Sequence, residues 1–279
     1  MSHLTVRRLD VDLGQGFPRH WHGAGAFHSQ YYNALSMSFP VGEQAFIDAV
    51  RHGVELLPKT AAYDAMRDDA AQFIGQEATH RHLHGLYNAE LEKQGLTNRW
   101  QHWAARRIAF ARERGLNPRH LLAITAAYEH CTAVFADGTL RYDSWFAAAD
   151  PRLRTLWRWH AAEETEHRAV AFDLYHAVGG NYGWRIRWYL YALVLFSVES
   201  AAQTALNLWR DGTLFLPRTW WGAVKFLVGK DGSLWRCSGP LLHYFRRDFH
   251  PNQERSMPTS AALAESWLMN NAISYRVVR

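Results

Sequence analysis

Cysteine is nearly absent. Cys131 and Cys237 are the only two in 279 residues, too few for a disulfide framework and without the CxxC spacing of a zinc knuckle. Blocks of lysine and arginine are missing as well, and the net charge of +5 is spread over single residues, which argues against a nucleic-acid partner. No Gly-x-Gly-x-x-Gly fingerprint or ferredoxin cysteine set occurs, so the chain carries no motif for an electron-carrying cofactor of its own. Nine prolines and nineteen glycines exclude a collagen-like or low-complexity chain, and a 48% hydrophobic content excludes disorder over most of its length. The most apolar run, residues 188–198, stops at Glu199, short of the ~20 residues that cross a bilayer. Alternation with period two is almost absent, so few strands are expected. The opening MSHLTVRRLDVD lacks the apolar core of a secretory signal, which with the few cysteines sets the expectation of a cytoplasmic protein.

What the chain has is helical pattern, aromatic residues and sixteen histidines. Residues 1–39 show no periodicity and read as an irregular arm. Pro40 then opens a first helix, because proline is tolerated where its missing N–H has no intrahelical partner. A second helix covers residues 61–95 and a third 98–115; a fourth covers 118–134 and ends at Ala-Asp-Gly. A fifth starts at Asp150-Pro151 and runs to Gly179-Gly180. This predicts an all-α protein, with a four-helix bundle plus extra helices over residues 40–178. An aromatic helical extension packed on the bundle is expected over 179–250, and a loose tail with one short helical segment around Ala261–Met269 over 251–279. The stretch from residue 185 to 236 combines tryptophan with Arg185, Arg187, Arg210 and Lys225. That composition suits a buried helix on the bundle, the wall of an apolar tunnel or a membrane-interface surface.

Two helices carry Glu-x-x-His: Glu77 with His80, and Glu164 with His167. At 100° per residue such a pair stands on one face, one turn apart, and both side chains can reach one ion. A single pair is an ordinary solvated motif. Here each is preceded by a glutamate in an apolar helical run, Glu43 lying 34 positions before Glu77 and Glu129 lying 35 before Glu164. A carboxylate buried in such a run is costly unless its charge is compensated, and a metal ion compensates it.

This doubled E…ExxH pattern resembles the ferritin-like di-iron carboxylate proteins, in which two helices each give a Glu and two others each give Glu-x-x-His. The resemblance implies Glu43, Glu77, His80, Glu129, Glu164 and His167 as ligands of two metal ions. His160, on the same helix face as Glu164 and His167, makes HxxxExxH, an arrangement similar to that of the di-iron arylamine N-oxygenases, and is implied as a third histidine ligand. Over its whole length, including SFPVGEQAF and YFRRDFHPNQ, the chain is most similar to a bacterial family described as predicted metal-dependent hydrolases. His84, Glu163 and Glu166 are candidates to orient the ligating imidazoles.

Carboxylates and imidazoles without thiolates suit Fe(II), with Mn or Zn as alternatives, and four glutamates against two divalent ions make a neutral core. The expected function is a di-iron oxygenase or oxidase that hydroxylates, desaturates or N-oxygenates a lipophilic small molecule. Its expected partners are dioxygen and a separate electron donor, with a peripheral membrane contact and a homodimer also compatible. The alternatives are a dinuclear metal-dependent hydrolase and a non-catalytic ferritin-like iron-binding protein.

Overall fold

A computed structural model describes residues 4–253 and 257–278. The fold is all-α apart from one antiparallel pair of three-residue strands, β1 (Arg7–Leu9) and β2 (Tyr275–Val277). Around the candidate site lie α1 (Ala26–Glu55), α2 (Asp64–Lys93), α4 (Pro118–Arg141) and α5 (Pro151–His167), with α3 (Arg99–Glu113) flanking α1. The arrangement, α1 on α2, α4 on α5 and α1 against α4, is compatible with a four-helix bundle. Local chemistry sets the starts: Asn117 and Asp150 accept the backbone N–H two residues on, each ahead of a proline at the first helical position. The chain continues through α6 (Val170–Ala177), α7 (Tyr182–Arg210), α8 (Pro217–Val228), α9 (Ser233–His243) and α10 (Met257–Asn270).

Four sequence expectations need correction. Residues 26–39 are not irregular: α1 begins at Ala26 and runs straight through Pro40. Proline deprives the Ser36 carbonyl of its intrahelical donor, and Asn88 Nδ2 on α2 supplies one at 2.9 Å. Ala136-Asp137-Gly138 does not end α4, which continues to Arg141. Gly138 is there for packing, since an added Cβ would lie 2.4 Å from the Trp145 ring. The fifth helix does not run unbroken to Gly179; it stops at His167 and α6 follows. Arg168 Nη1 takes the Thr165 carbonyl at 2.7 Å, the acceptor a continuing helix would offer to residue 169. The tail is not loose, because α10 packs on α4 and α5 and β2 pairs with β1 in the register Arg7 to Val277.

In α7 the amphipathy is turned outward. Glu199, Gln203 and Asn207 are buried, and Gln203 Oε1 caps α3 by accepting from Arg99 N and Trp100 N at 2.9 Å each. Leu190, Val194 and Val198, spaced by four residues, are exposed. The helix is long and apolar enough to cross a membrane by length and composition, with 33% of the apolar window buried. The expected packing of this segment on the bundle holds for the side that lies on α1 and α4, where Tyr189, Ala192 and Leu208 are buried, while the Leu190, Val194 and Val198 stripe faces outward.

Candidate metal centre

Glu43 projects from the middle of α1, Glu77 and His80 from α2, Glu129 from α4, and His160, Glu164 and His167 from α5. All seven are buried. The structure brings them into one overlapping constellation, in which the ligand atoms of each of four groups approach within 4.8 Å of one another: Glu43, Glu77 and His80; Glu77, Glu164 and His167; His80, His160 and Glu164; and Glu43 and His160 with His84. His167 Nε2 stands 3.2 Å from Glu77 Oε1, 3.3 Å from Glu129 Oε2 and 3.5 Å from Glu164 Oε2. His80 Nδ1 stands 3.6 Å from Glu77 Oε1 and 3.7 Å from Glu164 Oε1. His160 Nε2 lies 2.9 Å from Glu164 Oε1.

Several of these atoms face one another without a hydrogen bond. Both carboxylate oxygens of Glu43 and of Glu77, Glu129 Oε2, His80 Nδ1 and His167 Nε2 are buried with no partner. A buried polar atom left unpaired costs about 1–3 kcal/mol, so a cluster of seven converging on one region is an arrangement built for a cation. Two divalent ions would balance four carboxylates, and the donor set contains only oxygen and imidazole nitrogen. The residues therefore fit a dinuclear centre.

Protonation follows the same crowding. Burial, reinforced by the neighbouring carboxylates, pushes Glu43 and Glu129 well above the usual carboxylate range. Burial works the same way on Glu164, but His167 and His160 outweigh it and hold this carboxyl well below that range. For His80 burial is overcome by Glu163 and Glu77, which raise it; His160 and His84 are lowered by burial and by the nearby imidazoles.

The outer contacts determine which ring nitrogens are free. His80 Nε2 donates to Glu163 Oε2 at 3.0 Å, leaving Nδ1 toward the cluster. Gln76 Nε2 donates to the Thr5 carbonyl and to Glu166 Oε2, so its amide oxygen faces His167 Nδ1 at 3.1 Å and must accept from it. That turns His167 Nε2 to the cluster, where burial is overcome by Glu164 and Glu77, which raise the imidazole above its ordinary pKa in the absence of metal. Such partners fix ring orientation and ligand basicity. Glu163 thus holds an imidazole on another helix, whereas Glu166 touches no imidazole and acts through Gln76. Thr132 Oγ1 donates to Glu164 Oε2 at 2.6 Å. His84 contacts His160, its Nε2 lying 2.8 Å from His160 Nδ1.

Two contributors escaped the sequence reading. Gln76 was visible only as the neighbour of Glu77. Arg7 gave no local signal at all: from β1 it bonds Glu163 Oε1 at 3.2 Å and both Glu166 oxygens at 2.8 and 3.0 Å, neutralising the two outer carboxylates. A pocket lined mainly by apolar side chains reaches the cluster, with Phe39, Phe135, Trp157 and Phe196 on its walls and His160 and Glu164 at the metal side.

A family model described as predicted metal-dependent hydrolase matches residues 5–255, and the chain belongs to that family. A comparison with curated proteins finds no match, and a comparison with solved structures finds none either. The family description agrees with metal dependence and names hydrolysis, the alternative reading of the sequence, rather than oxygen chemistry.

Proposed function

We propose, with membership of this metal-dependent family as the premise, that Glu43, Glu77, His80, Glu129, His160, Glu164 and His167 hold two iron ions, and that the protein is an oxygenase or oxidase acting on an apolar small molecule. The observation that carries the proposal is the pocket, where aromatic walls meet the ligand cluster and no lysine or arginine is among the lining residues. Such a pocket binds hydrocarbon or aryl groups and offers no cation to an anionic substrate. Bound iron would supply the electrons that reduce dioxygen. The chain's own residues do the rest: Phe39, Phe135 and Trp157 hold the substrate and keep water out, Thr132 holds Glu164, and Gln76 and Glu163 keep the imidazoles aimed inward. Electrons for turnover come from a separate donor protein.

The family's description favours a second reading, hydrolysis of an apolar ester or amide with Mn or Zn in the same ligands. Oxygen uptake by the Fe(II)-loaded protein with a chemical reductant and hydrophobic amines or alkenes, set beside anaerobic hydrolysis of hydrophobic esters by the Zn- or Mn-loaded protein, separates the two. Oxygen-dependent product supports the first reading. Turnover that persists without oxygen and with zinc replaces it by the second.

The same lipophilicity bears on location. The outward apolar stripe of α7 and, on α8 and α9, exposed Trp220, Trp221 and Trp235 with Lys225, whose ammonium lies 5.5 Å over the Trp221 ring, have interfacial composition. In our reading these residues rest on a membrane surface, from which a lipophilic substrate is drawn.

A further inference from the structure

One histidine of the cluster has its tautomer set from outside the site, through a chain of hydrogen bonds that begins at Pro40. Proline has no N–H, so the Ser36 carbonyl lacks its donor from within α1. Asn88 Nδ2 supplies it at 2.9 Å. A carbonyl only accepts, which orients the Asn88 amide and leaves its Oδ1 as an acceptor. Ser36 Oγ lies 2.8 Å from that Oδ1 and gives it its one hydroxyl proton. Ser36 Oγ also lies 2.8 Å from His84 Nδ1; with its proton already given, it must accept there, and His84 carries its proton on Nδ1. His84 Nε2 is then a bare acceptor, 2.8 Å from His160 Nδ1. The remaining donor is His160, which gives the Nδ1 proton to His84 and turns its Nε2 to the ligand cluster, 2.9 Å from Glu164 Oε1, with which it shares a hydrogen bond in the metal-free chain.

Every link is buried. Ser36 and His84 have no exposed surface, and Asn88 and His160 almost none. The chain has one consistent direction, and Pro40 sets it. We infer that Ser36, Asn88 and His84 are positioning residues that lock His160 in the Nδ1–H tautomer and hold its Nε2 ready for a metal ion. The inference rests on the reading of His160 as a ligand. It gives a reason for a proline in the middle of α1 and for a buried histidine, serine and asparagine that hydrogen-bond one another and His160 rather than a carboxylate of the cluster. It also distinguishes His160 from His80 and His167, whose outer partners are a carboxylate and an amide supported by Arg7 or Glu166.

The test uses the full-length chain. In the metal-free wild type labelled with 15N-histidine, NMR should show His160, assigned by comparison with His160→Ala, with a protonated Nδ1. A ring with a bare Nδ1, its only proton on Nε2, overturns the inference. Titration with Co(II) alone, followed by absorbance, gives the second readout. His84→Phe, which cannot accept from His160, should weaken binding of one of the two ions by about 10–100-fold, the usual cost of losing an outer partner of a ligand. His84→Gln restores both contacts, with its amide oxygen accepting from His160 and its amide nitrogen donating to Ser36, and should stay within about threefold of wild type. Equal loss in both variants, or no loss in His84→Phe while His160→Ala binds weakly, overturns the inference and leaves the metal site standing. Unchanged Co(II) binding in His160→Ala overturns the reading of His160 as a ligand beneath it.

Discussion

Replacing Glu43 by methionine should stabilise the metal-free protein and reduce, by about 2 kcal/mol, the further stabilisation that metal confers. Both Glu43 oxygens are buried without a partner, and the residue is 2% exposed. Methionine is close in size and carries no group to desolvate. Removing an unpaired polar group from such a site gains about 1–3 kcal/mol, or roughly 2–10 °C in Tm for a chain of this size. With metal present that advantage is offset. At free metal ~100 times the Kd, binding stabilises the wild type by about 2.7 kcal/mol per site, and a lost ligand that weakens one site about a hundredfold removes most of that term. Thermal and urea denaturation with chelator and with anaerobic Fe(II) read both effects in one series. Were Glu43→Met less stable in chelator and equally stabilised by metal, Glu43 would be a structural residue and the cation argument would fail.

The remaining predictions follow from the same electrostatics and contacts. Glu43, Glu129 and His80 are all held above their ordinary pKa values, so each contributes stability to the metal-free chain that is present at low pH and lost as pH rises through the raised value. The stabilisation by metal, measured as loaded minus free Tm, should therefore grow from about pH 4, the ordinary carboxylate range, toward neutrality; a constant or shrinking difference contradicts it. Glu164, held low, works in the opposite direction only beneath that window. Arg7→Ala removes one of the two partners of the buried Glu163, His80 remaining, and should cost about 1.5–3 kcal/mol in urea unfolding, the range for a hydrogen bond to a charged group, and an effect under about 0.5 kcal/mol would show the pair to be incidental. Exchanging Val194 and Trp221 for glutamate should reduce sedimentation with phosphatidylglycerol vesicles while metal content stays at the wild-type level; undiminished sedimentation removes the membrane face.

The all-α class was legible because glutamates and histidines at i, i+3 sit in strongly periodic segments, and helix-starting Asn-Pro and Asp-Pro pairs mark α4 and α5. The constellation was legible in part for the same reason: Glu77, His80, Glu164 and His167 declare their shared face by spacing alone. Pro40 was misread since its usual place is a helix start, and its compensation comes from Asn88 on another helix, which no local pattern reveals. Gly138 was misread for the complementary reason: a glycine that makes room for Trp145 looks like one that ends a helix. Arg7 was beyond reach. Its contact with Glu163 depends on a strand pairing between the two ends of the chain, and three residues of strand carry no periodicity to read. The outward apolar side of α7 shows that composition alone does not tell which side of a helix is buried.

The central claim, a dinuclear metal centre in one bundle of glutamates and histidines, is tested most directly by metal analysis of the wild type and of Glu129→Ala and His167→Ala after anaerobic loading with Fe(II), with absorbance recorded before and after oxygen is admitted. The account predicts about two ions per wild-type chain, as its paired Glu and Glu-x-x-His ligands imply, a spectral change on oxygenation, and loss of both in the variants. One ion or fewer in the wild type, or variants that keep full metal content, would contradict it.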